Sequence, residues 1–213
     1  MKEPIKNFNK RDYPNGHIIQ RYGVKAPIYT TIGLESHNGI DIVAYYGCPI
    51  LAVEDGIVVE VQDKLIGYGL HVKVLSDENE WVFGHLSKIN VILGQRVYAG
   101  DVIGEMGNSG SVTSQGIYQW GNANPDKKGT HLHLGLRKFK RLVGEPSTTN
   151  TYNIQYSNGI KGTILNHDNG NKGAVDFYDM LPDVVAVEQL NLIVSLMNKT
   201  IELLKKLITL KIK

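Results

Sequence analysis

Nine residues, Gly129-Thr130-His131-Leu132-His133-Leu134-Gly135-Leu136-Arg137, constrain this chain more than any other stretch. Their apolar positions recur at every second residue, the period of a half-buried β-strand. As a strand, the segment sends Leu132, Leu134 and Leu136 to a core and His131, His133, Gly135 and Arg137 to the opposite face. A core has use for the leucines but not for two imidazoles roughly 7 Å apart. One of them suits a metal ligand while its neighbour faces the metal's open position. Taken alone, such a pair is more often two surface histidines, so the rest of the chain has to decide.

A chain of 213 residues is long enough to bury a full core, and fits one domain with appendages better than two equal domains. Its net charge of +2 argues against a nucleic-acid binder and gives only a weak pull toward anionic surfaces. With 23 glycines, the composition suits a turn-rich β protein. Cys48 stands alone, which excludes an internal disulfide and a multi-cysteine zinc site; its apolar surroundings mark it as a buried, inert thiol.

Residues 1–15 are polar and read as a flexible arm. Their lysines are followed by no apolar run, so no secretory signal is expected, and no stretch reaches the apolar length of a membrane span. Strand signals follow at Ile57 to Val61, Leu70 to Leu75 and Trp81 to Leu86, with glycine-marked turns between them. No helical period appears before residue 180. The fold class expected is therefore mainly β: an antiparallel sheet or barrel-sandwich-like core over residues 16–182, with a hairpin at about 148–170. Residues 111–128 read as a long polar loop carrying Tyr118 and Trp120, of the kind that is usually functional or disordered. From Val184 onward glycine and proline vanish. Leu190, Val194, Met197, Ile201, Leu204 and Ile208 then recur at steps of four and three, which predicts an amphipathic, heptad-like helix over residues 183–213. That pattern favours a parallel homo-oligomer, although the apolar surface is wide enough to pack on the domain or in a larger bundle. The late lysines suit a solvated face, with weak contact to a membrane surface as the alternative.

Two further motifs join the first. His37-Asn38-Gly39-Ile40-Asp41 places an imidazole and a carboxylate four residues apart, and a strand start bent at Gly39 lets them converge. His37, Asp41 and His133 would then make a two-nitrogen, one-oxygen metal site with a vacant fourth position, as catalytic zinc requires. In Glu80-Trp81-Val82-Phe83-Gly84-His85, alternation puts Trp81, Phe83 and His85 on one face. By itself His85 reads as a satisfied interior histidine.

In order along the chain come HNGIDI, EDGIV, GYGLHVKV, FGHLS, GQRVYAGDVIGEMGNSG and GTHLHLGL. This series resembles the lysostaphin-type (LytM-like) zinc endopeptidases, which cut the peptide part of bacterial peptidoglycan. The match runs from about Ile18 to Arg137, and a trailing VDFYDMLP resembles the family's closing segment. The resemblance implies one zinc ion per chain held by His37, Asp41 and His133, with His85 and His131 as catalytic histidines that do not ligate it. It implies peptidoglycan as the partner and hydrolysis by zinc-activated water as the reaction. The chain has no HExxH glutamate, and two free histidines would fill that gap. Which of them is the base stays open. Tyr118 and Trp120 are expected to wall a substrate groove, with Arg137 near a substrate carboxylate. His17, His71 and His167 read as bystanders, His71 being exposed or between strands.

The expected setting is a lytic enzyme of phage or phage-like type, reaching the wall through a pore or on a virion. Three alternatives remain at this level: a non-catalytic module that binds peptidoglycan or activates an amidase, an enzyme of related metal chemistry that trims a terminal D-alanine as a carboxypeptidase or cuts a non-wall peptide, and a virion structural protein.

Overall fold

The computed structural model describes residues 1–8, 16–64, 66–114, 117–119, 127–141, 150–182 and 184–211. In chain order its strands are β1 (His17–Gln20), β2 (Ile40–Val43), β3 (Pro49–Leu51), β4 (Gly56–Gln62), β5 (His71–Leu75), β6 (Asn79–Gly84) and β7 (Leu86–Ile89). They continue with β8 (Arg96–Val97), β9 (Val102–Met106), β10 (Val112–Ser114), β11 (Ile117–Gln119), β12 (Leu132–Lys140), β13 (Thr151–Gln155) and β14 (Lys161–Leu165). Helices are α1 (Pro27–Thr31) and α2 (Val184–Lys211), with a 3-10 turn at Tyr178–Met180. The fold is mainly β, as its residue pattern predicts.

The leucine-histidine segment forms most of β12, which lies inside a nine-stranded antiparallel sheet whose main path runs β1-β2-β12-β6-β5-β4-β8, with β13 and β14 joined to it beside the end of β12. Leu132, Leu134 and Leu136 are fully buried, so the period-two reading holds. Their neighbours across the register, Ile40 and Ile42 on β2 with Trp81 and Phe83 on β6, complete the same apolar face. A second, three-stranded sheet, β3-β9-β7, covers that face with Ile50, Ile103, Met106 and Leu86. Each such side chain removed from water stabilises the fold by about 1.5–3 kcal/mol. The VDFYDMLP segment adds to the same core: Phe177 packs edge-on against Trp81 with ring centroids 5.2 Å apart.

The hairpin expected at 148–170 is present as β13 and β14, and β14 extends the sheet by pairing with the end of β12. Its Asn158-Gly159 turn needs glycine, because Gly159 has φ of +85°. Below it, Tyr156, Phe139, Ile164 and Val59 make a separate small cluster.

Four expectations need correction. Residues 1–8 are not a flexible arm: Ile5 and Phe8 are buried in the main core, and the Lys2 amide and Pro4 carbonyl bond to Val53 and Leu51. Two apolar side chains in a polar stretch were enough to dock it; residues 9–15 lie outside the described part. A short helix does precede residue 180, since Pro27 starts one turn at α1. The 111–128 segment is not wholly loop, because β10 and β11 pair within it. Lastly, α2 forms as expected, but it does not pack on the domain through its middle: every side chain from Leu192 to Lys205 is exposed. Among the described residues no helix is long and apolar enough to cross a membrane.

Candidate metal centre

The register of β12 explains how distant residues meet. His133 lies opposite Asp41 of β2 on one side and opposite Gly84 of β6 on the other, so the residue after Gly84, His85, arrives beside it. Asp41 alternates with Ile40 and Ile42 and therefore points away from the core, toward the face that carries His133. Gly39 bends the chain ahead of β2 and brings His37 back over the same point. A β-carbon there would stand 2.6 Å from His133 Cε1, so only glycine lets the loop lie this close to the imidazole.

Three side-chain atoms converge. His37 Nε2 is 3.0 Å from Asp41 Oδ1, His133 Nδ1 is 3.1 Å from the same oxygen, and the two nitrogens are 3.1 Å apart. All three residues are buried. The His37 Nδ1–H donates to the Arg21 carbonyl at 3.1 Å, which leaves the Nε2 lone pair facing the other two donors. A proton on His133 Nδ1 can satisfy only one of its two electron-rich neighbours. His133 Nε2, meanwhile, is buried with no hydrogen-bond partner among the described residues. A divalent cation resolves this arrangement. Donors about 2.0–2.1 Å from a tetrahedral zinc stand about 3.3–3.4 Å apart, close to the edges seen here. The residues fit the ion.

Electrostatics point the same way. Burial alone would raise the Asp41 pKa, but the surrounding imidazoles of His131, His133 and His37 outweigh it and hold the carboxyl well below the usual carboxylate range. It is thus ionised at neutral pH. Burial pushes His133 and His85 down from the ordinary imidazole value, for His85 well below it, with the neighbouring histidines adding to the effect. Both shifts favour the neutral ring, the form in which an imidazole can bind a metal or accept a proton.

His85 reaches the site by a route that alternation does not predict. Continued as a strand, it would share the core face of Trp81 and Phe83. Instead β6 stops at Gly84, and His85 adopts φ of +61°, a left-handed conformation costly for a non-glycine residue. The bend carries its ring across to 4.6 Å from His131 and 6.0 Å from His133, centroid to centroid. Two bonds hold it there: its amide donates to the Tyr68 carbonyl at 2.7 Å, and Nδ1 to the Ser109 carbonyl at 2.7 Å. His131 is held in parallel fashion by Nδ1 on the Gly129 carbonyl at 2.7 Å, with Nε2 3.7 Å from Asp41 Oδ2. With Nδ1 of each ring donating to a carbonyl, Nε2 is the atom left to exchange a proton.

Of the expected site residues, the structure thus brings His37, Asp41, His133, His85 and His131 together. It does not bring Arg137. That guanidinium is mostly buried against the fully buried Glu80, its partner across β6, with Nε donating at 2.6 Å; the Tyr156 hydroxyl donates to the other oxygen of Glu80. Arg137 is spent inside the protein rather than offered to a substrate. Tyr118 lies on β11, and Trp120 lies outside the described residues. His71 is not exposed: it sits buried between strands, bonded to Glu60 at 2.8 Å and to the Gly69 carbonyl at 2.8 Å.

Tyr68 is the residue that sequence reasoning missed. Its ring stacks on His133 with centroids 5.1 Å apart, its hydroxyl accepts from the Asn38 amide at 2.7 Å, and its carbonyl holds His85. The available signal was an aromatic between Gly67 and Gly69, both at positive φ, where a turn alone does not call for one.

An antiparallel β-sheet with this donor set fits a metallopeptidase, and the family match shows that class. The chain belongs to Peptidase family M23, whose family model matches residues 35–146. Among curated proteins it is 29% identical over 132 residues to the glycyl-glycine endopeptidase ALE-1 of Staphylococcus capitis, covering 61% of this chain and 36% of that one. It is 36% identical over 102 residues to the peptidoglycan DD-endopeptidase ShyA of Vibrio cholerae, covering 47% and 20%. The chain therefore matches about a third or less of the length of these relatives. Among solved structures, LytU aligns with a TM-score of 0.51 at 27% identity, over 80% of this chain and 90% of that one.

Proposed function

We propose that this protein is a zinc-dependent endopeptidase that hydrolyses peptide bonds in the stem peptide or cross-bridge of bacterial peptidoglycan. The observation that carries the reading is the triangle of His37 Nε2, Asp41 Oδ1 and His133 Nδ1, with edges of 3.0–3.1 Å, beside two further imidazoles. These three residues hold the ion. When bound, zinc supplies Lewis acidity, which lowers the pKa of water toward about 7 and polarises a carbonyl. His85 and His131 do the proton work: each keeps Nδ1 on a backbone carbonyl and leaves Nε2 to exchange a proton. One takes a proton from the attacking water; the other, once protonated, donates to the developing oxyanion or the leaving amine. Asp41 stabilises positive charge on His131 across 3.7 Å, besides binding the ion.

The relatives' names support peptidoglycan as the substrate class, and they name two kinds of bond. The test is mass spectrometry of soluble fragments released from purified walls of several envelope types, with and without a zinc chelator. New amino termini within the peptide part, abolished by the chelator and restored by zinc, support the reading. Wall binding without any new terminus would assign the chain to a non-catalytic role.

A further inference from the structure

Helix α2 leaves its apolar side chains in water. Among the described residues, Ile193, Val194, Leu196, Met197, Ile201 and Leu204 are 46–59% exposed. Two polar contacts in this stretch lie within the helix: Lys205 to Glu202 at 2.8 Å and the Thr200 hydroxyl to the Leu196 carbonyl at 3.0 Å. Helical stability in proteins comes mostly from burying an amphipathic face, and exposed apolar surface of this extent marks an interaction site.

The residue pattern says what covers it. Taking Val194 as position a of a heptad, every a position from 187 to 208 is β-branched: Val187, Val194, Ile201 and Ile208. Every d position between them, Leu190, Met197 and Leu204, is unbranched at Cβ. Adsorption to a lipid surface needs only an apolar arc and has no use for this alternation. Two-stranded parallel packing does, because the a and d layers orient their side chains differently. The positions that flank such a seam, Ile193 and Thr200 facing Asn198 and Lys205, set no like charges against each other. The area agrees. Burial worth 1.5–3 kcal/mol per side chain corresponds to roughly 60–120 Å² each, so the exposed Val194, Met197, Ile201 and Leu204 from two copies already hide roughly 500–1,000 Å². The heptad pattern continues in the sequence on both sides of them, which carries the seam toward the range of specific protein interfaces, about 1,200–2,000 Å².

We propose that α2 binds a second copy of this chain as a parallel two-stranded coiled coil. A parallel pair carries both catalytic domains at the same end of the coil. If the proposed function holds, two sites then engage one polymeric wall, so pairing raises action on intact wall far more than on soluble fragments.

Sedimentation equilibrium of the full chain tests the pairing without reference to catalysis. The expected mass is twice the 23.7 kDa of one chain. Val194→Glu combined with Ile201→Glu should return it to that of a single chain, while Leu192→Lys, on the far side of the helix, should leave it unchanged. Met197→Cys, oxidised with oxidised glutathione, should form a disulfide to its own copy, as parallel but not antiparallel strands allow. A single-chain mass for the unmodified protein, three or more copies, or a dimer that survives the double substitution would overturn the proposal. So would a monomer that co-sediments with phosphatidylglycerol vesicles, which would assign the face to lipid.

Discussion

Replacing Gly39 with alanine should loosen the metal centre without touching a ligand. The added β-carbon would lie 2.6 Å from His133 Cε1, 2.7 Å from His133 Nε2 and 2.6 Å from the Leu134 carbonyl oxygen. Ordinary contact starts at 3.4 Å, so something must move by about 0.8 Å. The Leu134 carbonyl belongs to the β12 backbone, paired with β2 at Ile40, and resists displacement. The imidazole or the His37 loop therefore gives way. Zinc–ligand distances tolerate about 0.2 Å, so a shift of this size should weaken zinc binding about 10–100-fold. The overpacking itself should cost about 1–3 kcal/mol of stability. Competition against a chromophoric chelator reads the first effect and thermal unfolding of the metal-free protein the second. Gly162→Ala is the control: its β-carbon would strike the Phe139 ring and the Lys140 carbonyl, remote from the metal ligands, and should lower stability while the folded protein keeps its zinc affinity. Unchanged zinc affinity in Gly39→Ala would refute the claim that this close approach sets the ligand geometry.

Three other outcomes follow from the same structure. His85→Ala should retain zinc and lose about 10²–10⁴-fold in turnover, read by metal analysis beside a cleavage assay; wild-type turnover would remove His85 from the chemistry. Arg137→Ala leaves the Glu80 carboxylate buried opposite a missing partner and should cost about 3–5 kcal/mol in urea unfolding, whereas a substrate-binding arginine would raise KM at unchanged stability. Glu60 is held down to about 2 from 4.5: burial opposes this, but the His71 hydrogen bond and the Lys73 charge outweigh it. Its folded pKa is thus depressed, so its contribution is complete above pH 4.5 and fades as pH falls toward 2. Allowing for solvent screening, the gap in unfolding free energy between wild type and Glu60→Gln should be about 1–2 kcal/mol at pH 6 and shrink below pH 4.5.

Much of the fold and most of the centre could be read from local pattern. Alternation in residues 131–137 assigned the leucines and histidines to opposite faces, and Gly39 announced the bend that joins His37 to Asp41. What escaped depended on distant partners. The face taken by His85 is set by a left-handed residue whose amide and ring are held by Tyr68 and Ser109, and alternation carries no trace of that. Arg137 looked available because its partner, Glu80, is 57 residues away and apposed only once β6 pairs with β12. Phe8 and Ile5 joined the core from a stretch too polar to show a strand or helix period. The hairpin was legible through Asn158-Gly159, yet its docking through the Tyr156–Glu80 hydrogen bond was not.

X-ray absorption at the zinc edge, combined with metal analysis of the purified chain, tests the centre most directly. The account predicts one zinc per chain with two imidazole nitrogens and one carboxylate oxygen in its coordination sphere. That zinc should be lost in His37→Ala, Asp41→Ala and His133→Ala and retained in His85→Ala. Zinc that persists after any one of those three ligand substitutions, with an unchanged absorption spectrum, would contradict it.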